Sequence, residues 1–223
     1  MTAEPGRGQS RKSGDGEPSD LAPVRLRRLN RRLVEDLREE LSGLYVESRA
    51  TPPGDPYRRP SRQNFLNRLT VDMRRPGFAM VIAEADSLMG CAFGFPVGGD
   101  GSWWLGFDGA LPRSIEQLTA SGNVFAFAAI LIRPHPQDRE LARRVQERLL
   151  TDHQASLGAT LVDRTDHPTL TTLRSWGWLD IGELRRPLGA TTFRALVLPL
   201  GERTTARLEG LVTVPGGGGP SEA

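Results

Sequence analysis

Residues 124–150 read VFAFAAILIRPHPQDRELARRVQERLL. The first nine are apolar without interruption and stop at Arg133-Pro134, the pattern of a strand buried on both faces. From Pro136 the period changes. Leu141, Val145 and Leu149 recur on one face, with Arg139, Arg143, Arg144 and Arg148 elsewhere, which predicts a helix over 136–150. A helix that starts directly after a strand aims its unpaired first amides, and their partial positive charge, past the strand end. Such an end can hold a phosphate or pyrophosphate.

Working outward, ATLVDRT (159–165) predicts a second strand. Pro168 opens a helix through Leu170, Leu173 and Trp176, and Gly177 ends it. WLDIGELRR (178–186) and TFRALVLPL (192–200) predict two closing strands. Upstream, FAMVIAEAD (78–86) and LMGCAFGFPV (88–97) flank a tight polar turn and predict a hairpin. Residues 98–123 form an insertion, with a glycine-rich loop, Trp103, Trp104 and a short helix near 112–120. Ser61 caps a helix over 62–75, after the Pro-rich loop 51–61. Leu26, Leu29, Leu33, Leu37, Leu41 and Leu44 predict one helix over 26–44. Its solvated face carries Arg25, Arg27, Arg28, Arg31 and Arg32, partnered by Glu35, Asp36, Glu39 and Glu40. The order α-α-β-β-β-α-β-α-β-β is a mixed α/β or α+β layout, one sheet with covering helices. It occupies a single domain, 23–200, between a disordered tail (1–22) and a flexible one (201–223).

The chain has 223 residues, 29 basic and 27 acidic, for a net charge of +2, which argues against a dedicated nucleic-acid binder. One cysteine, Cys91, excludes an intramolecular disulfide and a four-cysteine zinc site, fits a reducing compartment, and reads as a small core hydrophobe. His135, His153 and His167 show no metal-ligand spacing, so no metal is expected. No apolar run is long enough to span a membrane, and the start of the chain lacks a signal-like apolar stretch. A cytoplasmic protein without a membrane partner is expected. Neither a Walker phosphate loop nor a G-x-S-x-G elbow occurs.

Residues 124–200 resemble the core of the GNAT superfamily of N-acetyltransferases. The family has a strand ending in a V-x-P-like turn, then Q/R-x-x-G-x-G/A at a helix start. ILIRPHPQDRELARRVQERLL keeps that spacing, with Gln137, Ala142 and Arg143-Arg144 in register. The helix ending in RSWGW resembles the family's Y-x-x-x-G-F/W end. The resemblance implies a GNAT-like mixed, mostly antiparallel sheet with flanking helices, and acetyl-CoA as cosubstrate. It implies that the backbone of Ile130, Leu131 and Ile132 contacts thioester and pantetheine. It implies a diphosphate site at Gln137, Asp138, Arg139, Glu140, Leu141, Ala142 and Arg143. On the acceptor side Tyr45, Trp103, Trp104 and Asp108 are the candidates, the two tryptophans as a lid. Three features depart from the family. Glu140 stands for its first glycine, Leu173 for its general-acid tyrosine, and Ala126, Phe127, Ala128 and Ala129 where a base often sits. The implied function is transfer of an acyl group from coenzyme A to an amine by direct attack, with no catalytic residue named. The alternative is a catalytically impaired member that binds acyl-CoA or a protein partner. A homodimer through exposed last strands also fits this fold class.

Overall fold

A computed structural model describes residues 24–49, 61–187 and 191–201. Both predicted tails lie outside the described residues, apart from Gly201, as does the Pro-rich loop up to Pro60. The leucine steps of 26–44 do not make one helix. Arg25–Leu29 is a strand, β1, and the helices α1 (Arg31–Asp36) and α2 (Arg38–Ser48) follow it. Two features explain the difference. Val24 and Leu26 alternate with Arg25 and Arg27, so the same residues also satisfy a strand's period of two. Asn30 then caps α1 by accepting from the Leu33 amide at 3.0 Å, which fixes the helix start five residues later than the leucine spacing suggests. Arg27 accordingly pairs across the sheet with Glu84 at 2.9 Å, and not with an acid on the same helix.

The other elements match the sequence reading closely. Ser61 caps α3 (Arg62–Met73) through the Asn64 amide. The hairpin is β2 (Ala79–Glu84) and β3 (Leu88–Pro96). Next come α4 (Arg113–Ala120), β4 (Val124–Ile132) and α5 (Asp138–Asp152). The strand β5 (Leu157–Asp163) starts two residues before the predicted 159, and α6 (His167–Ser175), β6 (Leu179–Arg185) and β7 (Thr192–Pro199) follow.

The strands form one seven-stranded sheet, ordered β1-β2-β3-β4-β5-β7-β6. Every neighbouring pair is antiparallel except β4 and β5. This is the expected mixed, mostly antiparallel sheet with flanking helices. The last strand, β7, lies inside the sheet and is not an exposed edge. The outer edge of β6 is partly covered by residues 106–108, through Arg185 N–H to the Gly106 carbonyl (2.8 Å) and Asp108 N–H to the Glu183 carbonyl (2.9 Å).

On one face α5 and α6 bury Phe125, Phe127, Val145, Leu149 and Leu173. There the Trp178 indole donates to the buried Gln146 side chain at 2.7 Å, and Gln146 donates in turn to the Ala142 carbonyl at 2.7 Å. Gln146→Leu strands that indole N–H in the core, and urea unfolding is expected to show a loss of about 1–3 kcal/mol. The opposite face carries two separate clusters. One, under α1, α2 and α3, holds Met80, Ile82, Cys91, Phe93 and Leu131. The other, under the 98–123 segment, holds Trp104, Ile115, Val124, Ala126 and Ala159. Burial pushes the Cys91 thiol up to about 12, which keeps it inert as a nucleophile.

Candidate active site

The parallel pair β4–β5 is hydrogen-bonded only at its start. Val124, Phe125 and Ala126 pair with Leu157, Gly158 and Ala159, yet β4 continues to Ile132 and β5 to Asp163. The Thr160 hydroxyl donates to the Phe127 carbonyl at 3.0 Å, a side-chain link just beyond the last backbone pair. Past it the strands part, and the sheet opens into two halves. A bulge accompanies the parting. On the β3 side Phe93 faces Ala129 and Gly94 faces Phe127, so Ala128 has no partner.

The burial of β4 follows from this. Ala128 is exposed and Ala129 and Ile130 are half-buried, although β4 is the middle strand of the sheet. The expectation of a strand buried on both faces therefore fails from Ala128 to Ile130. The strand is apolar because its two ends enter cores, while its centre floors a cleft. Small side chains at 128 and 129 leave that floor open. Arg49 at the end of α2 and Asp166 at the start of α6 pair at 2.9 Å, tying α2, which packs on β3 and β4, to the element that follows β5.

Beyond Ile132 the chain turns tightly. Arg133 donates to Glu47 at 2.8 Å and to the Ser87 hydroxyl at 2.9 Å. The Asp138 amide donates to the His135 carbonyl (2.9 Å), and the Gln137 amide to His135 Nδ1 (3.2 Å). The helix therefore starts at Asp138, with Gln137 as its cap residue. Leu141 N–H already donates to the Gln137 carbonyl. The amides of Arg139 and Glu140 are left without a backbone acceptor among the described residues. The implied cradle running to Arg143 thus narrows to two N–H groups.

The side chains there are arranged differently from a simple anion site. Glu140 is exposed and accepts two bonds from Arg143, at 2.7 and 2.9 Å. Arg143 also holds Glu147 at 2.7 Å. The hydrogen bond from Arg143 keeps the Glu140 carboxyl below the usual carboxylate range. Glu140 is thus turned along the helix surface, and Arg143 is shared between two carboxylates. Arg139 is exposed and has no ion pair among the described residues. Ile130 is half-buried at the cleft, while the side chains of Leu131, Ile132, Leu141 and Ala142 belong to the cores.

The four acceptor candidates are not brought together. Tyr45 is buried on α2, stacked on Phe65 at 4.6 Å. Trp104 is buried and donates to Thr119 at 3.0 Å. It lines a cavity of about 410 Å³ with Asp100, Phe107 and Glu116, formed within the 98–123 segment. Asp108 is exposed on the segment docked on β6. Trp103 is half-buried and packs edge-on against Trp104. Sequence reasoning missed Thr160, Arg75, Phe95 and Arg186. No spacing in the sequence connects them: Thr160 and Phe95 are placed by the strands, and Arg75 and Arg186 by packing on Phe95 and Trp103.

Among the described residues no group of three or more His, Cys, Asp or Glu could hold a metal ion, and no helix is long and apolar enough to cross a membrane. No protein-family model and no curated protein matches the sequence. Several solved structures are similar to it. One is an acetyltransferase from Thermus thermophilus, at 14% identity and a TM-score of 0.49 over 79% of this chain and 97% of that one. A second, assigned to the GNAT family, comes from Desulfovibrio desulfuricans, at 17% identity and 0.47 over 80% and 99%. A third is the spermidine/spermine N-acetyltransferase of Vibrio cholerae, at 12% identity and 0.44 over 79% and 92%. At these identities and scores the likeness carries no residue role and no activity over to this chain.

Proposed function

We propose that the chain is an acetyl-CoA-dependent N-acetyltransferase that works through the cleft between β4 and β5. The observation that carries this reading is Ala128, exposed at the centre of a seven-stranded sheet because two parallel strands part beside it. A gap between parallel strands at a sheet centre admits an extended ligand. The residues present fit coenzyme A. Past Ala126 no strand pairs with the β5-facing edge of β4, so its backbone groups at Ala128–Ile130 are placed to bond an extended amide chain. The amides of Arg139 and Glu140, with the Arg139 guanidinium, suit a pyrophosphate at the start of α5.

When bound, the thioester supplies an electrophilic acetyl carbonyl. The chain's own contribution is position. β4 carries no titratable side chain, and Leu173, at the family's tyrosine position, is buried among the α5 and α6 side chains. The amine must therefore arrive neutral, and its proton leaves to water. Held geometry alone can still supply a large part of a rate enhancement. The log of kcat/KM is accordingly expected to rise with pH at unit slope and level off at the acceptor amine's own pKa. Thiol release from acetyl-CoA, followed with two amines of different basicity, should give plateaus that move with the amine. A plateau fixed for both amines would reveal a protein base and contradict this mechanism.

The same absence favours a second reading, in which the cleft binds acyl-CoA without turnover. Stoichiometric binding with no thiol release for any amine across the pH range would establish it.

A further inference from the structure

Two arginines lie over aromatic rings of the cluster under the 98–123 segment, which also holds Ala126. Arg75, just after α3, lies over the Phe95 ring at 4.3 Å. Arg186, just after β6, lies over the Trp103 ring at 5.8 Å and donates to the Trp103 carbonyl at 2.9 Å. Phe95 pairs with Ala126 across β3–β4, two residues before the bulged Ala128, and both Phe95 and Trp103 pack on the cluster that holds Ala126. Arg186 is half-buried and has no carboxylate partner among the described residues. Arg75 has one, Asp72, at a long 3.4 Å. A third cation, Arg31, donates to the Arg75 carbonyl at 3.3 Å. Burial, and then the charge of Arg75, pull Arg186 below the usual guanidinium value. Arg75 is exposed, but a half-buried guanidinium such as Arg186 without a carboxylate partner costs free energy that a bound anion would return. Stacking on aromatic faces fixes each guanidinium plane and leaves N–H groups at its rim for a two-oxygen ligand.

We propose that the acceptor amine carries an oxyanion, a carboxylate or a phosphate, which Arg75 and Arg186 hold beside Ala128. This deepens the acetyltransferase reading and rests on it only for the amine end of the ligand.

The test is calorimetric titration of the full chain with matched pairs differing by the anion. L-phenylalanine against phenethylamine forms the carboxylate arm, and O-phosphoethanolamine against ethanolamine the phosphate arm. Acetyl-CoA is titrated on the same samples. In at least one arm the anionic member should bind about tenfold or more tighter, the size expected for a hydrogen-bonded charge pair. Arg186→Gln and Arg75→Gln should each remove most of that preference, with Arg186→Lys keeping part of it. Thermal melts establish that each variant is folded. Equal binding within both pairs, including none, overturns the proposal, as does a preference that survives both glutamine variants. Acetyl-CoA binding without an anion preference sinks the arginine pair alone. An anion preference lost in Arg186→Gln, in a chain that does not bind acetyl-CoA, upholds the pair and overturns the acetyltransferase reading.

Discussion

Ala128→Trp is expected to lower kcat/KM for acetyl transfer by about 100-fold or more while leaving the melting temperature nearly unchanged. The two halves of this result have one cause. Ala128 is exposed, has no partner on β3 and is not paired with β5, so a larger side chain there meets no packed neighbour. Folding loses little, because surface substitutions away from packed features usually stay within about 0.5 kcal/mol. The indole instead fills the floor on which thioester and amine must meet. A displacement of about 1 Å at a reacting centre can already cost about 100-fold. Thiol-release kinetics and a melt on the same sample check both halves. A large fall in melting temperature would mean that position 128 is part of the core.

The reverse pattern is expected one strand away. Gly94 lies opposite the bulge, and a Cβ there would collide with the Ala126 carbonyl oxygen and come to 2.9 Å from the Phe125 ring. Neither can move away, because both residues are buried in the middle of the sheet. Gly94→Ala should cost about 3 kcal/mol, at the upper end of overpacking. That corresponds to a fall of about 6–12 °C in melting temperature for a chain of this size. Activity should fall with it, since Gly94 sets how β4 bulges and hence where Ala128 sits. A variant as stable as the parent would show that the bulge is not held by this close approach.

The cleft explains which parts of the molecule were legible in the sequence. The 124–150 stretch located the strand, the turn and the helix, because an apolar run followed by a period-four pattern has few other solutions. It did not locate the opening. Residues facing a cleft and residues facing a core are both small and apolar here, so Ala126, Ala128 and Ala129 look alike until the register separates them. The parting of β4 from β5 is a property of pairing between strands, and Thr160 gives no local sign that its hydroxyl reaches the Phe127 carbonyl. At the other end of the sheet, Leu26 and Leu29 fit a helix and a strand equally well. Asn30 as a cap, three residues before Leu33, was the readable signal that favoured the strand. A carboxylate in the first turn of a helix, such as Glu140, would repel an anion there if it faced the helix start. Its neighbour three residues on, Arg143, is at the right helical spacing to turn it aside, and the salt bridge at 2.7 Å has that effect.

Every step of the proposed chemistry depends on the β4–β5 cleft and the start of α5 together holding acetyl-CoA. Calorimetric titration of the full chain with acetyl-CoA tests this without an acceptor, with Glu140→Gly and Ala128→Trp alongside. One micromolar site per chain is expected in the unmodified protein. Because Arg143 already pairs with Glu140, Glu140→Gly should tighten that site by no more than about fivefold, the scale of one surface charge near a helix end. Ala128→Trp should weaken it. Absence of binding in the unmodified protein and in Glu140→Gly alike would contradict the proposed site, and so would binding that Ala128→Trp leaves untouched.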